Sequence, residues 1–323
     1  MEARMTAQTK PGIPADDYVL PFTTDKSRAL GRLVRFGPLA DKILKRHDYP
    51  VPVSEVLGQA LALTAMLGST LKFSGNLILQ TQTNGPLGFL VANFEAPGRL
   101  RGYASFDDER RAEVDASDGD YGALLGNGHM ALTIDPGGHM DRYQGIVSLE
   151  GNDLSAAANT YFRQSEQLPT FVRLAIARHH SGAGGDGDWH WRAGGIMVQY
   201  VSPVGGREDA DEDEGGNSNW LHGERDEDWQ RVSILAATVE DHELIDPTLS
   251  PERLLYRLFH EEGVRASAPQ PFEAFCRCSR ERVETFIGSF QGDDIASMKD
   301  DDGNIAITCE FCNEVYRFEE AQN

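Results

Sequence analysis

The sequence predicts an α+β protein, and two observations lead to that fold class. Runs with period-two hydrophobicity, separated by turn residues, alternate with helical patterns through the first 201 residues. Hairpins interspersed with helices are typical of antiparallel sheets packed on helices rather than of a doubly wound nucleotide-binding fold. All four cysteines lie between residues 276 and 312, which sets a small C-terminal module apart from the rest of the 323-residue chain. A chain of this length has room for one large domain and a smaller one.

The sequence pattern of the N-terminal part of the chain predicts a strand or turn and two helices. Residues 16–50 mix apolar and charged positions in a pattern that favours a strand or turn followed by a helix, which ends at Tyr49–Pro52. Ser54 is then predicted as the N-cap of another helix, whose apolar face runs from Val56 to Leu71.

Alternating apolar and polar residues next predict two hairpins. The alternating runs are 77–82, 89–94, 130–134 and 143–149. Asn84-Gly85 supplies the turn between the first two runs, and Asp135–Gly138 supplies the turn between the last two.

A helix, two strands and a second helical region are predicted beyond the hairpins. The helix lies around Leu154–Gln167, and strands Phe171–Arg178 and Gly195–Val201 follow, joined by a glycine-rich loop. Val232–Val239 indicates a helix or linker, and Ser250-Pro251 is a strong helix start with serine as N-cap. The last helix carries an apolar stripe that is predicted to be buried, formed by Leu254, Leu255, Leu258 and Phe259.

Charge and hydropathy exclude several classes of function. Thirty Lys and Arg against 51 Asp and Glu give a net charge of −21, which argues against nucleic-acid binding because phosphate contacts depend on basic residues. No run approaches the roughly 20 apolar residues that span a bilayer, and the N-terminus has no apolar segment typical of a secretory signal. We therefore expect a cytoplasmic protein with no membrane or nucleic-acid partner.

The cysteines form two close pairs, a pattern typical of metal or redox chemistry in a reducing compartment. Cys276 and Cys278 are separated by one residue, Cys309 and Cys312 by two, and residues 279–308 lie between the pairs. Four thiolates presented in this way suit one tetrahedral Zn²⁺ in the reduced protein. A core as small as this module allows seldom supplies more than about 3–5 kcal/mol, whereas structural zinc contributes roughly 10–16 kcal/mol. Loss of the metal should therefore unfold the module.

The predicted domain organisation follows from these patterns. Residues 1–231 form an N-terminal domain with antiparallel β-sheets and packed helices, which includes an acidic loop at about 205–228. Residues 232–270 form a helical linker, and residues 271–323 form a small C-terminal zinc-binding α+β module. The acidic loop is interpreted as a solvated segment, with a partner-binding or solubility role as the alternative.

The residues alone leave the role of the cysteines open. Arg277, Arg280 and Arg282 would favour thiolate and its reaction with an oxidant, yet an ordinary structural zinc site has most of the same features. A thiol oxidoreductase that uses Cys309 and Cys312 and a zinc-ribbon-type interaction or nucleic-acid module are the alternative functions. His179-His180 can ligate metal, although exposed histidines at a strand end are commoner. The glycine-rich stretch 182–187 fits a dinucleotide motif but does not open a helix.

The cysteine spacing resembles that of the redox-switch domain of the 33-kDa heat-shock chaperone (chaperonin) family, HslO. Other segments from about residue 18 to the C-terminus agree with that family, and they are Leu255–Glu262, Phe275–Arg282, His47–Pro50, Leu71–Gly75, Arg142–Gly145 and Tyr161–Pro169. The acidic stretch 207–228 and the glycine-rich loop 182–187 are longer than the family leads us to expect.

The resemblance implies a holdase that needs no ATP and is not an enzyme. Its reduced, zinc-bound form would be inactive, and oxidants with unfolding stress would form two disulfides, release zinc and unfold the module and linker. The exposed apolar surface would then bind unfolded client proteins, and the active form would be a homodimer. On this chain the four cysteines are the implied ligands and redox centres, with disulfides Cys276–Cys278 and Cys309–Cys312 and a metastable linker at about Val232–Ala268.

Overall fold

The structure is a computed structural model, and it describes most of the chain. The described residues are 16–117, 119–138, 140–151, 153–181, 188–201, 226–290, 295, 298–299 and 303–318. The glycine-rich loop 182–187 and most of the predicted acidic loop lie outside the described residues.

Groups of strands and groups of helices follow one another along the described chain. The strands are β1 (Tyr18–Thr24), β2 (Leu30–Phe36), β3 (Asn76–Thr83), β4 (Phe89–Glu95), β5 (Arg99–Ser105), β6 (Asn127–Asp135), β7 (Tyr143–Glu150), β8 (Thr170–Ser181), β9 (Asp188–Gln199), β10 (Val264–Ala266), β11 (Gln270–Pro271), β12 (Glu273–Ala274), β13 (Ile305–Thr308) and β14 (Val315–Phe318). The α-helices are α1 (Pro38–Leu44), α2 (Val51–Gly68), α3 (Arg111–Ala116), α4 (Tyr121–Leu125), α5 (Leu154–Tyr161), α6 (Glu227–Ala237), α7 (Asp241–Ile245), α8 (Pro251–Phe259) and α9 (Arg280–Ile287). Short 3₁₀ segments occur at Asp108–Arg110 and His260–Glu262, and a π-helical turn at Phe162–Glu166.

Two sheets form the body of the molecule, and the predicted α+β class is confirmed. The first has the order β10-β1-β2-β9-β8 with β11 also paired to β1, and the second has the order β12-β5-β4-β3-β6-β7. The predicted hairpins are present as β3–β4 and β6–β7. Strands β8 and β9 pair from Thr170–Gln199 to Ser181–Asp188.

Several predicted boundaries were wrong. Helix α2 begins at Val51 rather than after Ser54, because Pro52 needs no amide partner in the first turn and the Ser54 amide already donates to the Pro50 carbonyl at 3.0 Å. It also ends at Gly68, before Leu71. Strand β9 begins at Asp188, well before Gly195, because its full length pairs with β8.

Helix α2 lies between the two sheets and contacts both. Its residues are buried on nearly every side, Val51 and Glu55 excepted, as expected of a core helix with no solvent-facing stripe. By length and composition alone, this helix is long and apolar enough to cross a membrane. However, 89% of this 18-residue helix is buried inside the described part of the protein, as is usual for a core helix.

The other face of the first sheet is covered by α6, α7 and α8. Apolar side chains of alternate sheet positions, such as Leu33 and Ile196, pack against Val232 and Leu244 of these helices. The predicted stripe of α8 is buried here as expected, and the Phe259 ring stacks on Phe22 at 5.4 Å. Ser250 caps α8, accepting a hydrogen bond from the Arg253 amide.

Residues 264–274 run along both sheets before the cysteines begin. Strands β10 and β11 pair antiparallel with β1, and β12 pairs parallel with β5. Phe272 packs between Phe36 and Phe94, with ring centroids 5.6 and 6.1 Å away. The domain boundaries at residues 231 and 270 stay a prediction.

A candidate four-cysteine centre

Two turns of the C-terminal module present the four cysteines. Cys276 and Cys278 follow β12 and precede α9, whose N-cap Ser279 accepts a hydrogen bond from the Arg282 amide at 3.3 Å. Cys309 and Cys312 lie in the turn between β13 and β14. This turn is closed by a hydrogen bond from the Cys309 amide to the Glu314 carbonyl, 2.9 Å long.

The four sulfur atoms form a compact cluster that suits a metal ion. All lie within 4.8 Å of one another, and the short separations join the two turns: 3.6 Å between Cys276 and Cys309, and 3.2 Å between Cys278 and Cys312. Tetrahedral thiolate ligation at about 2.3 Å places sulfurs about 3.8 Å apart, so these side chains need only small adjustments to hold an ion. Among the described residues, no other group of three or more histidine, cysteine or acidic side chains is placed in this way.

The thiols differ in their electrostatic environment. Burial raises the pKa of Cys276, but hydrogen bonds from the Cys278 backbone and the neighbouring sulfurs outweigh it and bring this pKa to about 7. Burial raises the pKa of Cys278 and of Cys312. The Tyr316 hydroxyl donates to the Cys278 sulfur at 3.2 Å, and that contact raises the pKa of the tyrosine. The cluster therefore contains one thiol that ionises readily, and at Cys278 the Tyr316 hydroxyl offsets part of the effect of burial.

The hydrogen bonds and ion pairs described for the arginines near Cys278 in sequence go to oxygen atoms rather than to sulfur. Arg277 pairs with Glu95 of β4 at 2.7 Å and donates to Asn76 of β3. Arg282 donates to the Arg277 carbonyl at 3.1 Å. Arg280 donates to the Arg317 carbonyl and lies over the Phe318 ring. The pair between Arg277 and Glu95 attaches the cysteine module to the second sheet.

Arg101 of β5 is a site residue that sequence reasoning missed. Its guanidinium lies 4.0 Å from the centre of the ring of Phe311, a residue that stands between Cys309 and Cys312 in the sequence. The Nε of Arg101 donates to Asn93 Oδ1 at 3.2 Å. Burial lowers the pKa of Arg101 and nearby Arg277 lowers it further, while a hydrogen bond to Cys276 raises it. No local pattern in the sequence links a β5 residue to the cysteines, because the contact depends on tertiary structure.

The turn that carries Cys309 and Cys312 rests on the body of the protein. Phe311 contacts the ring of Tyr103 on β5 at 6.3 Å, and the Asn313 side chain donates to the Arg46 carbonyl at 3.0 Å. Arg99 of β5 lies over Phe275, 4.4 Å from the ring centre. The cysteine centre is thus in direct contact with strand β5.

We predict that Phe311→Ala loosens this docking without removing a cysteine. Cation–π and aromatic contacts of this kind contribute on the order of 1–2 kcal/mol together, so amides of residues 305–318 should exchange with deuterium several-fold faster. Phe286→Ala is the matched control, because Phe286 is in the same module but 53% exposed. Equal exchange in the two variants would contradict a docking role for Phe311.

The predicted histidine pair lies away from the cysteines. His179 and His180 are near the end of β8, opposite His190 and Trp189 of β9. The ring of His180 packs edge-on against Trp189 at 5.0 Å. A structural role in the hairpin accounts for this pair.

Fold and site together define a class of protein: a two-sheet α+β body, covered by helices on one face, with a four-thiol centre near the C-terminal end. A family model described as Hsp33 protein matches residues 17–319. The chain therefore belongs to the Hsp33 family, which confirms the resemblance drawn from the cysteine spacing. This family consists of chaperones, which confirms the prediction that the chain is not an enzyme.

Individual relatives agree over nearly the whole chain. A 33 kDa chaperonin of Caulobacter vibrioides is 42% identical over 306 residues, covering 94% of this chain and 95% of the relative. A 33 kDa chaperonin of Ectopseudomonas mendocina is 36% identical over 307 residues, covering 95% and 93%. The crystal structure of the 33 kDa chaperonin from Thermotoga maritima superimposes with a TM-score of 0.67 at 19% identity, covering 94% of this chain and 95% of that one. This last similarity supports the fold.

Proposed function

We propose that this chaperone is a redox-regulated, ATP-independent holdase of the cytoplasm. In the reduced state one Zn²⁺ is bound by Cys276, Cys278, Cys309 and Cys312, and the protein is inactive. Oxidation forms disulfides Cys276–Cys278 and Cys309–Cys312 and releases the zinc. The active protein is a homodimer that binds unfolding proteins and prevents their aggregation. The observation that carries this proposal is the cluster of four sulfurs within 4.8 Å in a module with almost no core of its own.

The scarcity of buried apolar groups makes the module dependent on metal. Among the described residues after Pro271, the buried hydrophobic side chains are Phe272, which packs on the body of the protein, and Ile305, and α9 has no buried residue. So small a core cannot offset the conformational entropy of an ordered module. A zinc ion, worth roughly 10–16 kcal/mol in such sites, supplies the missing stability.

Oxidation removes that stability by consuming the ligands. Two thiols and one peroxide give one disulfide and two waters, so two peroxides convert all four thiols. A disulfide sulfur carries no thiolate charge and no longer serves as a zinc ligand. The module then loses its metal and unfolds.

Unfolding of the module is expected to unfold the linker, which covers an apolar face of the first sheet. Residues 232–270 lead from the covered face of the first sheet toward the cysteines, and the helices in this linker bury side chains of that face. The covered sheet residues include Leu20, Phe22, Leu33, Ile196 and Val198. Once the linker unfolds, this face becomes a contiguous apolar patch of the kind that binds other proteins.

The structure favours this proposal over the alternatives. Cys309 and Cys312 lie in the turn of a β-hairpin, whereas oxidoreductase motifs of this spacing precede a helix in a βαβ setting. A nucleic-acid module would present a basic face, but the described turn at Cys309–Cys312 carries the acidic Glu310 and Glu314.

Zinc release and linker exchange measured together test the proposal. The reduced protein should bind one zinc per chain. Peroxide at raised temperature should release it and produce the two proposed disulfides in a peptide mass map. Amides of residues 232–268 should then exchange rapidly, while those of α2 stay protected. Retained zinc, or a protected linker after all four thiols are oxidised, would refute the switch.

A further inference from the structure

A buried arginine of the first sheet bonds to the linker backbone. Arg35 of β2 is 1% exposed and lies on the linker-covered face. Its Nε donates to the Leu244 carbonyl at 3.1 Å, and its two terminal nitrogens donate to the carbonyls of Glu243, at 3.0 Å, and Leu249. All three acceptors are backbone groups of the linker.

A second arginine completes the contact. Arg192 on neighbouring strand β9 donates from Nε to the Ile245 carbonyl at 2.7 Å, and its terminal nitrogens pair with Asp16 at 2.9 and 2.7 Å. Gly194, which pairs with Arg35, leaves room for the linker: a Cβ there would lie 2.5 Å from the Leu244 carbonyl oxygen. The linker backbone thus approaches the sheet closely at this point.

The carbonyl groups at the end of α7 and the buried guanidinium groups of the sheet each need the other as hydrogen-bond partners. The last carbonyls of a helix have no intrahelical partner, and Glu243, Leu244 and Ile245 form the end of α7. A guanidinium stays charged and is costly to bury unless its donors are bonded. Arg192 keeps Asp16 as a partner when the linker leaves, but Arg35 loses all three hydrogen bonds described above. Of these two arginines, Arg35 is therefore the one whose hydrogen bonding depends more on a docked linker.

We propose that Arg35 is the latch that holds the linker on the sheet: its guanidinium fixes the carbonyl end of α7 and thereby keeps the apolar face covered while zinc is bound. The inference rests on the proposed holdase function and adds a positioning residue to its regulation. A planar guanidinium bonded to three carbonyls fixes the position of the backbone through directional hydrogen bonds, which apolar burial does not supply.

The variant Arg35→Met tests the latch, because it removes the donors and keeps an unbranched side chain in place. With zinc bound and thiols reduced, amides of residues 241–249 should exchange at least tenfold faster than in the wild type. The same variant should suppress aggregation of an unfolding client without oxidant. Zinc content should stay at one per chain.

Arg32→Met is the matched control. Arg32 is on the same strand with its Nε buried, but the alternation of the strand directs it to the opposite face, where its cross-strand neighbours are Pro21 and Met197. Its linker exchange and reduced-state activity should match the wild type. Equal exchange in Arg35→Met and Arg32→Met would overturn the latch.

A milder variant keeps the test decisive if Arg35→Met does not fold. Arg35→Lys retains the charge but not the planar fork, so we expect linker exchange at least threefold above the wild type with α2 fully protected. Wild-type exchange in the lysine variant would overturn the latch.

The measurement of amide exchange is independent of chaperone activity. An oxidised wild type without holdase activity would refute the proposed function, but the exchange data would still test the latch.

Discussion

Replacing Cys312 with serine should leave the protein without zinc and with an unfolded C-terminal module, even under reducing conditions. Serine is a poor zinc ligand, and the remaining three thiols provide an incomplete tetrahedron. If zinc is bound as proposed, the loss removes much of the roughly 10–16 kcal/mol that such binding supplies, which exceeds by far what burial of Ile305 contributes within the module. The oxidant response should be blunted, because the change that we propose for the oxidised wild type would already have occurred. Metal analysis and amide exchange of residues 276–318 measure both effects.

Ala306→Ser is the control for this variant. It introduces the same side chain at an exposed position of β13, next to the cysteine turn but without a role in ligation. It should retain one zinc and the wild-type response. If Cys312→Ser responds to peroxide as fully as the control does, the redox switch is not located in this cluster.

Replacing Phe259 with alanine should open the linker while zinc stays bound. Phe259 is fully buried and stacks on Phe22, so truncation costs on the order of 3–5 kcal/mol. Each 1.4 kcal/mol changes an equilibrium tenfold, so the fraction of molecules with a docked linker should fall sharply. We expect suppression of client aggregation by the reduced, zinc-loaded variant, together with rapid amide exchange in residues 251–259.

Tyr256→Ala is the matched comparison on the same helix. Tyr256 is 56% exposed, so its removal should leave the linker docked and the reduced protein inactive. Activation of both variants to the same extent would mean that helix propensity, not packing on the sheet, controls the switch. Inactivity of reduced Phe259→Ala, with a demonstrably exchanging linker, would place the client surface elsewhere.

The sequence was most informative where local chemistry decides structure. Alternation with Asn84-Gly85 predicted the β3–β4 hairpin, and Ser250-Pro251 predicted the start of α8. The cysteine pairs predicted a common site, because each pair is confined to one turn and four thiols at this spacing suit one ion. These features require no knowledge of distant contacts.

Features that depend on tertiary pairing were missed. Strands β10 to β12 have two or three residues each and exist because β1 and β5 offer edges to pair with. The first seven residues of β9 are likewise ordered by β8. Arg101 and Arg35 carry no motif, since each acts on a segment far away in the chain.

Light scattering of a thermally unfolding client tests the central claim most directly. The client is heated with this protein, either zinc-loaded and reduced or previously treated with peroxide at raised temperature. The account predicts that aggregation is suppressed only by the oxidised protein, and that a reductant reverses this effect. Equal suppression by both forms, or suppression by neither, would contradict the redox-regulated holdase and leave the four-cysteine centre a structural site.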